Sequence, residues 1–176
     1  IVSSTYSQLL NITSCNECNY MTTNHDPIQI ITLHLKSNSS TIYDLLRDYV
    51  KLERLDDWKC DKCKRSVQPE KKCVFWNLSN ILIFQLKTYT TSLQKITRHI
   101  EYPTVLKMNR FCMNYEESSM TYELCGICIQ MGTLNGGHYI SICKDGEDWN
   151  VYNDTHVFKT TESDMLKKNP YCLFYR

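Results

Sequence analysis

Two short cysteine motifs constrain the fold of this chain more than any other feature of its sequence. Cys15-Asn-Glu-Cys18 and Cys60-Asp-Lys-Cys63 are separated by residues 19–59. A two-residue spacer lets both thiolates of one tight turn face the same ion, and two such turns supply the four soft ligands of tetrahedral zinc. The spacing therefore predicts one structural zinc ion, held by Cys15, Cys18, Cys60 and Cys63.

The cysteine count also leaves the redox state of the chain open, because 10 of its 176 residues are cysteine. A secreted domain would pair them in disulfides, whereas an intracellular protein would use some for metal and bury the rest. On the first hypothesis the motif cysteines form two disulfides, and a third alternative leaves them as four buried thiols.

Most of the other six cysteines are expected to serve packing. Cys125-Gly-Ile-Cys128 is a third motif of the same spacing. It lies in an apolar strand pattern, where residues three apart face opposite sides of a sheet. We therefore expect both thiols to be in the core. Three more cysteines lie in strand-like segments and are expected there too, namely Cys73, Cys143 and Cys172.

Composition and charge exclude several classes of protein. The 20 basic and 19 acidic residues nearly cancel, which argues against a nucleic-acid partner and leaves a zinc-ribbon nucleic-acid module as a weak alternative. No apolar run approaches the length of a membrane span, so no membrane partner is expected. Residues 1–10 lack a basic segment and a cleavage site, so no signal peptide is visible. We expect an intracellular protein of the cytoplasm or nucleus.

The pattern of apolar residues predicts an α+β domain that is rich in antiparallel strands. Apolar residues at helical spacing predict a helix over 41–50, capped by Ser39 or Ser40, and a short helix over 161–168. The segments 139–144 and 148–152 are typical of a hairpin around Lys-Asp-Gly-Glu. The other predicted strands are 28–35, 72–78, 81–89, 122–131 and 171–175, and the predicted loops are 108–119 and 133–137.

One histidine stands in a context that suggests chemistry. Gly136-Gly137-His138 opens the first strand of the predicted hairpin, and Asn153-Asp154 follows the second. A hairpin brings these two points to the same open end, where an amide or carboxylate can fix the tautomer of an imidazole. A lone histidine near glycine is otherwise a loop or core residue. That interpretation is kept for the other histidines, which lack this context: His25, His34, His99 and His156.

In this order the motifs resemble those of the ubiquitin-specific protease family of deubiquitinating enzymes. The similarity runs over nearly the whole chain, with Thr88 and Tyr89 replacing the last two residues of a family segment that ends in Leu-Lys-Arg-Phe. The segments that carry it are the two cysteine motifs, the helix 41–50, the strands 72–78 and 80–87, the His138 and Asn153 segments, and 171–175.

The resemblance implies a papain-like fold in which about residues 1–80 form zinc-bearing fingers with a connecting helix and about 81–176 form the palm. His138 would be the general base for a cysteine nucleophile, Asn153 would orient it, and Asp154 would share that role. The fingers would hold the body of ubiquitin. The channel for its Gly-Gly tail would be lined by Gly136, Gly137 and Tyr139.

The family's nucleophile motif, Gly-Asn-Thr-Cys-Tyr, does not occur in the chain. We therefore expect the nucleophile and the thumb subdomain to lie outside it, in a further segment or a partner chain, and this segment alone to be inactive. The expected partners are ubiquitin and ubiquitinated proteins. The alternative is a catalytically inactive ubiquitin-binding or scaffold module of the same fold.

Overall fold

Three β-sheets and two helices make up the part of the chain that the structure, a computed structural model, describes: residues 4–113, 120–133 and 136–176. In chain order the strands are β1 (Ser7–Ser14), β2 (Met21–Ile28), β3 (Ile30–His34), β4 (Glu53–Arg54), β5 (Trp58–Lys59), β6 (Ser66–Val67), β7 (Glu70–Asn77), β8 (Leu82–Lys87), β9 (Val105–Lys107), β10 (Thr121–Thr133), β11 (Gly136–Asp145), β12 (Asp148–Asn153), β13 (His156–Thr160) and β14 (Cys172–Tyr175). The helices are α1 (Ile42–Tyr49) and α2 (Glu162–Leu166), and Asn109–Phe111 forms a 3-10 turn. Within these ranges no helix combines the length and the apolar character that a bilayer crossing needs.

The largest sheet carries the main core. It has eight strands in the order β13-β12-β11-β10-β14-β8-β3, with β9 paired to the far end of β10. Only the β3–β8 pair is parallel, which confirms the predicted antiparallel-rich α+β class. Its buried face meets α1, and large side chains such as Phe84, Leu173 and Tyr175 are fully enclosed there.

Two smaller sheets carry the cysteine motifs. β1, β2, β4 and β7 form a four-stranded sheet in the order β2-β1-β7-β4, while β5 and β6 flank the second motif. The chain passes from β7 to β8 through residues 78–81, so the four-stranded sheet continues directly into the large one. The division into fingers over 1–80 and palm over 81–176 stays a prediction. β3 precedes residue 80 but is the edge strand of the large sheet.

Most of the predicted strands are confirmed, with ends that differ by a few residues, and so are the β11–β12 hairpin and α2. The structure adds strands that the apolar pattern did not indicate, among them β1, β2, β9 and β13. The first four of the five residues of β13 are exposed. β2 is polar, and most of its residues are exposed too. A strand with no buried face shows no alternation, so backbone pairing to its neighbours defines it instead.

The N-cap of α1 is Thr41, so the expected cap at Ser39 or Ser40 is wrong. The Thr41 hydroxyl accepts from the Asp44 backbone NH at 3.2 Å, and the Asp44 carboxylate accepts from the Thr41 NH at 2.9 Å. This reciprocal capping box satisfies two of the donors left free at a helix start. It also orients the apolar face of the helix, which buries Ile42, Leu45 and Leu46 in the core.

The cysteines outside the two motifs are half-buried, so their expected place in the core is only partly right. All ten cysteines lie in the described ranges and none forms a disulfide. Cys73 and Cys112 pack against the main core, whereas Cys125 and Cys128 do not. The register of β10 shifts between residues 124 and 126. This bulge breaks the alternation, so residues three apart need not face opposite sides as we expected.

A buried polar joint connects the four-stranded sheet to the large one. The hydroxyls of Ser7 and Ser79 lie 3.0 Å apart, and the Ser79 backbone NH donates to the Ser7 oxygen at 3.0 Å. The Tyr122 hydroxyl donates to the Ser79 carbonyl at 2.9 Å, and the Ser79 hydroxyl donates to the Ile81 carbonyl at 2.6 Å. Ser7, Ser79 and Tyr122 are all buried, so these contacts link β1, the β7–β8 connection and β10 without exposure to solvent.

The capping box makes the stability of α1 dependent on pH. The backbone NH groups of Ser40 and Thr41 donate to the Asp44 carboxylate, which lowers its pKa below the ordinary value. A lowered folded-state pKa contributes stability that is present above the unfolded carboxyl pKa and is lost as pH falls through the folded one. We expect Asp44→Asn to lower the melting temperature at pH 7, and the difference from wild type to shrink below about pH 4.

The control is Asp56→Asn, which changes an exposed carboxylate outside α1, in the bend between β4 and β5. Its thermal melts over the same pH series should follow wild type. A difference between Asp44→Asn and wild type that stays constant from pH 7 to pH 3 would contradict the proposed linkage.

Candidate active site and metal centre

The β11–β12 hairpin places His138 and Asn153 together, as the sequence predicts. Ser141 pairs with Tyr152 in the antiparallel ladder, so residues 138 and 153 both face the other side of the sheet, at its open end. On its other edge β11 pairs with β10, where His138 lies opposite Met131. β10 therefore fixes the backbone of His138, while β12 pairs with β11 only from Ser141 onward.

The imidazole of His138 contacts the Asn153 side chain directly. Its Nε2 lies 2.5 Å from the Asn153 amide oxygen and 3.9 Å from a carboxylate oxygen of Asp154. An amide oxygen can only accept, so the proton is on Nε2 and Nδ1 carries the free lone pair. His138 remains 42% exposed. The arrangement supplies an oriented, solvent-accessible base.

Asp154 occupies a strained position beside this pair. Its φ of 52° lies in the left-handed region, which is uncommon for a residue other than glycine. The tight turn from β12 to β13, in which Asn153 pairs with His156, requires this conformation. The carboxylate is 75% exposed, so Asp154 lies at the edge of the site and makes a looser contact than Asn153.

No cysteine of the described residues hydrogen-bonds to His138. Burial raises the pKa of Cys112 and of Cys172 to about 11, and it also raises the pKa of Cys125 and Cys128. A reactive cysteine needs a lowered pKa and partial exposure. These thiols therefore lack the features of a nucleophile, and a nucleophile outside the chain stays a prediction.

The two glycines before His138 differ in what surrounds them. A Cβ on Gly136 would meet nothing within 4 Å, so space lies open there. A Cβ on Gly137 would lie 2.6 Å from the Met131 carbonyl oxygen and 2.8 Å from the Gln130 side-chain nitrogen. Gly132, at φ +91°, pairs with Gly137 in the β10–β11 ladder. Gly137 is thus required by the packing of the chain itself, and Gly136 leaves room for a ligand.

Tyr139 lies on the face of β11 opposite to His138. Its side chain is 54% exposed, and its ring centroid is 5.9 Å from that of Tyr171. The structure therefore does not bring this side chain beside the imidazole, and its part in lining a channel stays a prediction.

The four motif cysteines come together as the spacing predicts. Their sulfur atoms all lie within 4.8 Å of one another, with 4.0 Å between Cys15 and Cys63 and 3.6 Å between Cys18 and Cys60. A tetrahedral ion with Zn–S bonds of about 2.3 Å has sulfur–sulfur edges of about 3.8 Å, which fits these separations. These four residues could hold a metal ion.

The two motifs have the same local geometry. The NH of Cys15 donates to the Tyr20 carbonyl at 2.8 Å, and the NH of Cys60 donates to the Arg65 carbonyl at 3.0 Å. Each turn includes a non-glycine residue at positive φ, Asn19 at 55° and Lys64 at 60°. Each turn therefore directs its own two thiols toward the other pair without help from a large core.

Sequence reasoning missed the contact that joins the two motifs. The Arg65 guanidinium lies 2.5 Å from the Glu17 carboxylate, so the second motif is paired to the first by charge as well as by sulfur. The backbone NH of Arg65 lowers the pKa of Cys63 to about 7, whereas burial and the neighbouring thiols raise the pKa of Cys18 to about 11, so the four thiols differ in acidity. Reasoning from the sequence also missed contacts of Lys95 and Gln130 beside Gly137, which no local pattern indicates.

Comparison with known proteins matches the chain to one family. The family model for ubiquitin carboxyl-terminal hydrolase matches residues 4–175. Ubiquitin carboxyl-terminal hydrolase 8 of Saccharomyces cerevisiae is 32% identical over 178 residues, which cover 92% of this chain and 38% of that protein. Probable ubiquitin carboxyl-terminal hydrolase R319 of Acanthamoeba polyphaga mimivirus is 34% identical over 144 residues, which cover 76% of this chain and 31% of that protein.

Solved structures show the same fold. The SAGA Ubp8/Sgf11/Sus1/Sgf73 deubiquitinating module bound to ubiquitin aldehyde matches with a TM-score of 0.87 at 29% identity, over 98% of this chain and 41% of that chain. The same module with a cysteine-to-alanine substitution in Ubp8, bound to monoubiquitin, matches with a TM-score of 0.86 at 30% identity, over 98% of this chain and 40% of that chain. The chain therefore spans about two fifths of the Saccharomyces cerevisiae relative and of the Ubp8 chain, and under a third of the mimivirus relative.

Alanine substitutions at Gly137 and Gly136 test the close contact between Gly137 and the Met131 carbonyl. Gly137→Ala forces a methyl group against the Met131 carbonyl, which the ladder holds in place. We expect it to destabilise the protein by about 1–3 kcal/mol in urea unfolding. Gly136→Ala meets open space and should stay within about 0.5 kcal/mol of wild type. Equal losses of stability in the two variants would show that the close approach at Gly137 has no energetic weight.

Proposed function

Because the chain belongs to the ubiquitin carboxyl-terminal hydrolase family, we propose that the protein containing it hydrolyses the bond after the C-terminal glycine of ubiquitin. The observation that carries this proposal is the 2.5 Å contact between His138 Nε2 and the Asn153 amide oxygen. Two solved structures of the Ubp8-containing module have ubiquitin aldehyde or monoubiquitin bound, which supports ubiquitin as the substrate. The free thiols suit a reducing compartment, so the proposed location is the cytoplasm or nucleus.

In the proposed mechanism each group has one step. Nδ1 of His138 takes the proton of a cysteine thiol from outside residues 1–176, and the thiolate sulfur bonds to the terminal glycine carbonyl of ubiquitin. The imidazolium then gives this proton to the leaving amine as the carbon–nitrogen bond breaks. Water, deprotonated by the same nitrogen, then attacks the thioester carbonyl; the carbon–sulfur bond breaks, ubiquitin leaves as the carboxylate, and the imidazolium returns the proton to the cysteine sulfur. Asn153 holds the ring in the required tautomer throughout.

The glycines would provide access for the substrate. The open space at Gly136 suits the narrow Gly-Gly end of ubiquitin, because no side chain of this residue obstructs its approach. Asp154 would stabilise the imidazolium through its carboxylate at 3.9 Å. Its exposure makes this a smaller contribution than that of Asn153.

A kinetic test uses the full-length protein and ubiquitin that carries a C-terminal fluorogenic amide. We expect His138→Ala to lower kcat by about 10²- to 10⁴-fold, the usual contribution of a general base. Asn153→Ala should lower it by about 10²-fold through misplacement of the ring, and Asn153→Asp should retain more activity because it keeps an acceptor oxygen.

His156→Ala is the matched control, since this exposed histidine lies on the neighbouring strand. It should leave kcat unchanged. If the wild-type full-length protein binds ubiquitin but releases no product, the inactive ubiquitin-binding module replaces the enzyme proposal.

We also propose that the four motif cysteines bind one structural zinc ion. Support comes from the sulfur separations and from the soft, fully protein-derived set of four ligands. With all four positions filled, such an ion contributes folding energy and takes no part in the hydrolysis. The ligand set would stabilise the region around β5 and β6, where the cluster of buried apolar residues is small.

Metal analysis tests this second proposal. The purified protein should contain about one equivalent of zinc. Cys18→Ser should remove the ion and lower the melting temperature, because one of the four ligands is lost. Cys143→Ser, which changes a half-buried thiol in the large sheet, should retain the ion. Zinc below about one tenth of an equivalent in protein purified without chelator would contradict the proposal.

A further inference from the structure

We propose that Lys95 is a positioning residue, which holds the paired ends of β10 and β11 in the arrangement that admits the C-terminal glycines of ubiquitin. The inference rests on the proposed function and extends it to a residue far from His138 in sequence. It is carried by hydrogen bonds from Lys95 to the strand that precedes Gly136 and Gly137.

The ammonium group of Lys95 is saturated by acceptors on this strand. It donates to the Gln130 backbone carbonyl at 3.0 Å, to the Gln130 side-chain oxygen at 2.7 Å and to the Gly132 carbonyl at 3.0 Å. A lysine ammonium has three protons, so all of them are used at one place. Its nitrogen also lies 5.9 Å from the ring centroid of Tyr89.

These acceptors are the open edge of β10. The Cys128 carbonyl accepts from the Tyr171 NH at 2.7 Å, on the side of β10 where β14 lies. Carbonyls two and four residues further along a strand point to the same side. The pairing between β10 and β14 ends at Cys128, so the carbonyls of Gln130 and Gly132 have no strand opposite them. Lys95 supplies the donors that a neighbouring strand would have supplied.

The Gln130 side chain connects Lys95 to the backbone around Gly137. Its side-chain nitrogen donates to the carbonyls of Met131 at 3.2 Å and Thr133 at 3.3 Å. The same nitrogen would be 2.8 Å from a Cβ on Gly137, so the amide packs directly under that residue. Lys95 thus fixes Gln130, and Gln130 supports the backbone that leads into His138.

Lys95 itself is held on a separate turn beyond the end of β8. The Ile96 NH donates to the Thr88 carbonyl at 2.7 Å, and the Thr90 NH donates to the Gln94 carbonyl at 2.9 Å. β14 separates β8 from β10 in the sheet, so no ladder joins this turn to the β10–β11 end. Among the described residues, the contacts of Lys95 and Tyr89 to Gln130 provide that connection.

The test compares variants of the full-length protein in hydrolysis of ubiquitin that carries a C-terminal fluorogenic amide. Lys95→Met keeps the length of the side chain and removes the donors. We expect it to raise KM by about 3- to 10-fold while kcat stays within about twofold, because it alters the admission of the tail and leaves the His138–Asn153 pair intact. Lys95→Arg retains donors and should recover most of the loss. Lys159→Met, which breaks the 2.6 Å pair with Asp148 on the far edge of the sheet, is the control and should match wild type.

A double variant tests whether Lys95 and Gln130 act together, as one clamp on the paired ends of β10 and β11, or through two separate contacts. Gln130→Leu should raise KM to a similar extent, and the double variant with Lys95→Met should be no worse than the poorer single one. Effects that multiply in the double variant would overturn the proposal. So would a Lys95→Met protein with the KM of wild type.

Amide hydrogen exchange gives a readout that does not depend on activity. Residues 136–138 should exchange faster in Lys95→Met than in wild type, while exchange in β12 is unchanged. Unchanged exchange at 136–138 would overturn the clamp even if the enzyme is active. If the wild-type protein does not cleave ubiquitin at all, the proposed function fails, and the exchange result alone decides whether the clamp exists.

Discussion

The antiparallel ladder of β10, β11 and β12 is the interaction on which the candidate site depends. Successive residues of a strand face opposite sides, so a slip of one residue would carry His138 away from Asn153 and onto the other face of the sheet. Ile142, Trp149 and Val151 are buried on the core side of these strands and resist such a slip. The geometry of the imidazole is therefore stabilised by packing at some distance from it.

The four-cysteine site is organised in the opposite way. Among the residues that the structure describes, its buried cluster contains only Cys15, Cys60 and Val67, with a few partly buried neighbours. So small a cluster cannot stabilise much structure by burial. The two motifs instead use short backbone turns and sulfur ligands, which need little surrounding core. One end of the molecule is thus organised by apolar packing across a large sheet, and the other by local turns that converge on one point.

Sequence could predict the parts of the structure that have a local or periodic signal. The cysteine spacing indicated which four sulfur atoms would meet, and the Asp-Gly turn indicated the hairpin that joins His138 to Asn153. β13 was missed because its exposed residues carry no alternation, and the bulge at Cys125 was missed because a register shift leaves no mark in composition. The contacts of Lys95 join residues 35 and 37 positions apart, through exposed side chains that follow no pattern.

The serine–tyrosine joint between the two larger sheets has a consequence for recognition. A hinge opens cheaply only when its polar groups can exchange partners with water. Ser7, Ser79 and Tyr122 are buried, and parting them would leave unpaired groups that cost about 1–3 kcal/mol each. The angle between the sheets is therefore preorganised. A ligand that touches both must already have a matching shape, and little binding energy is lost in closing around it.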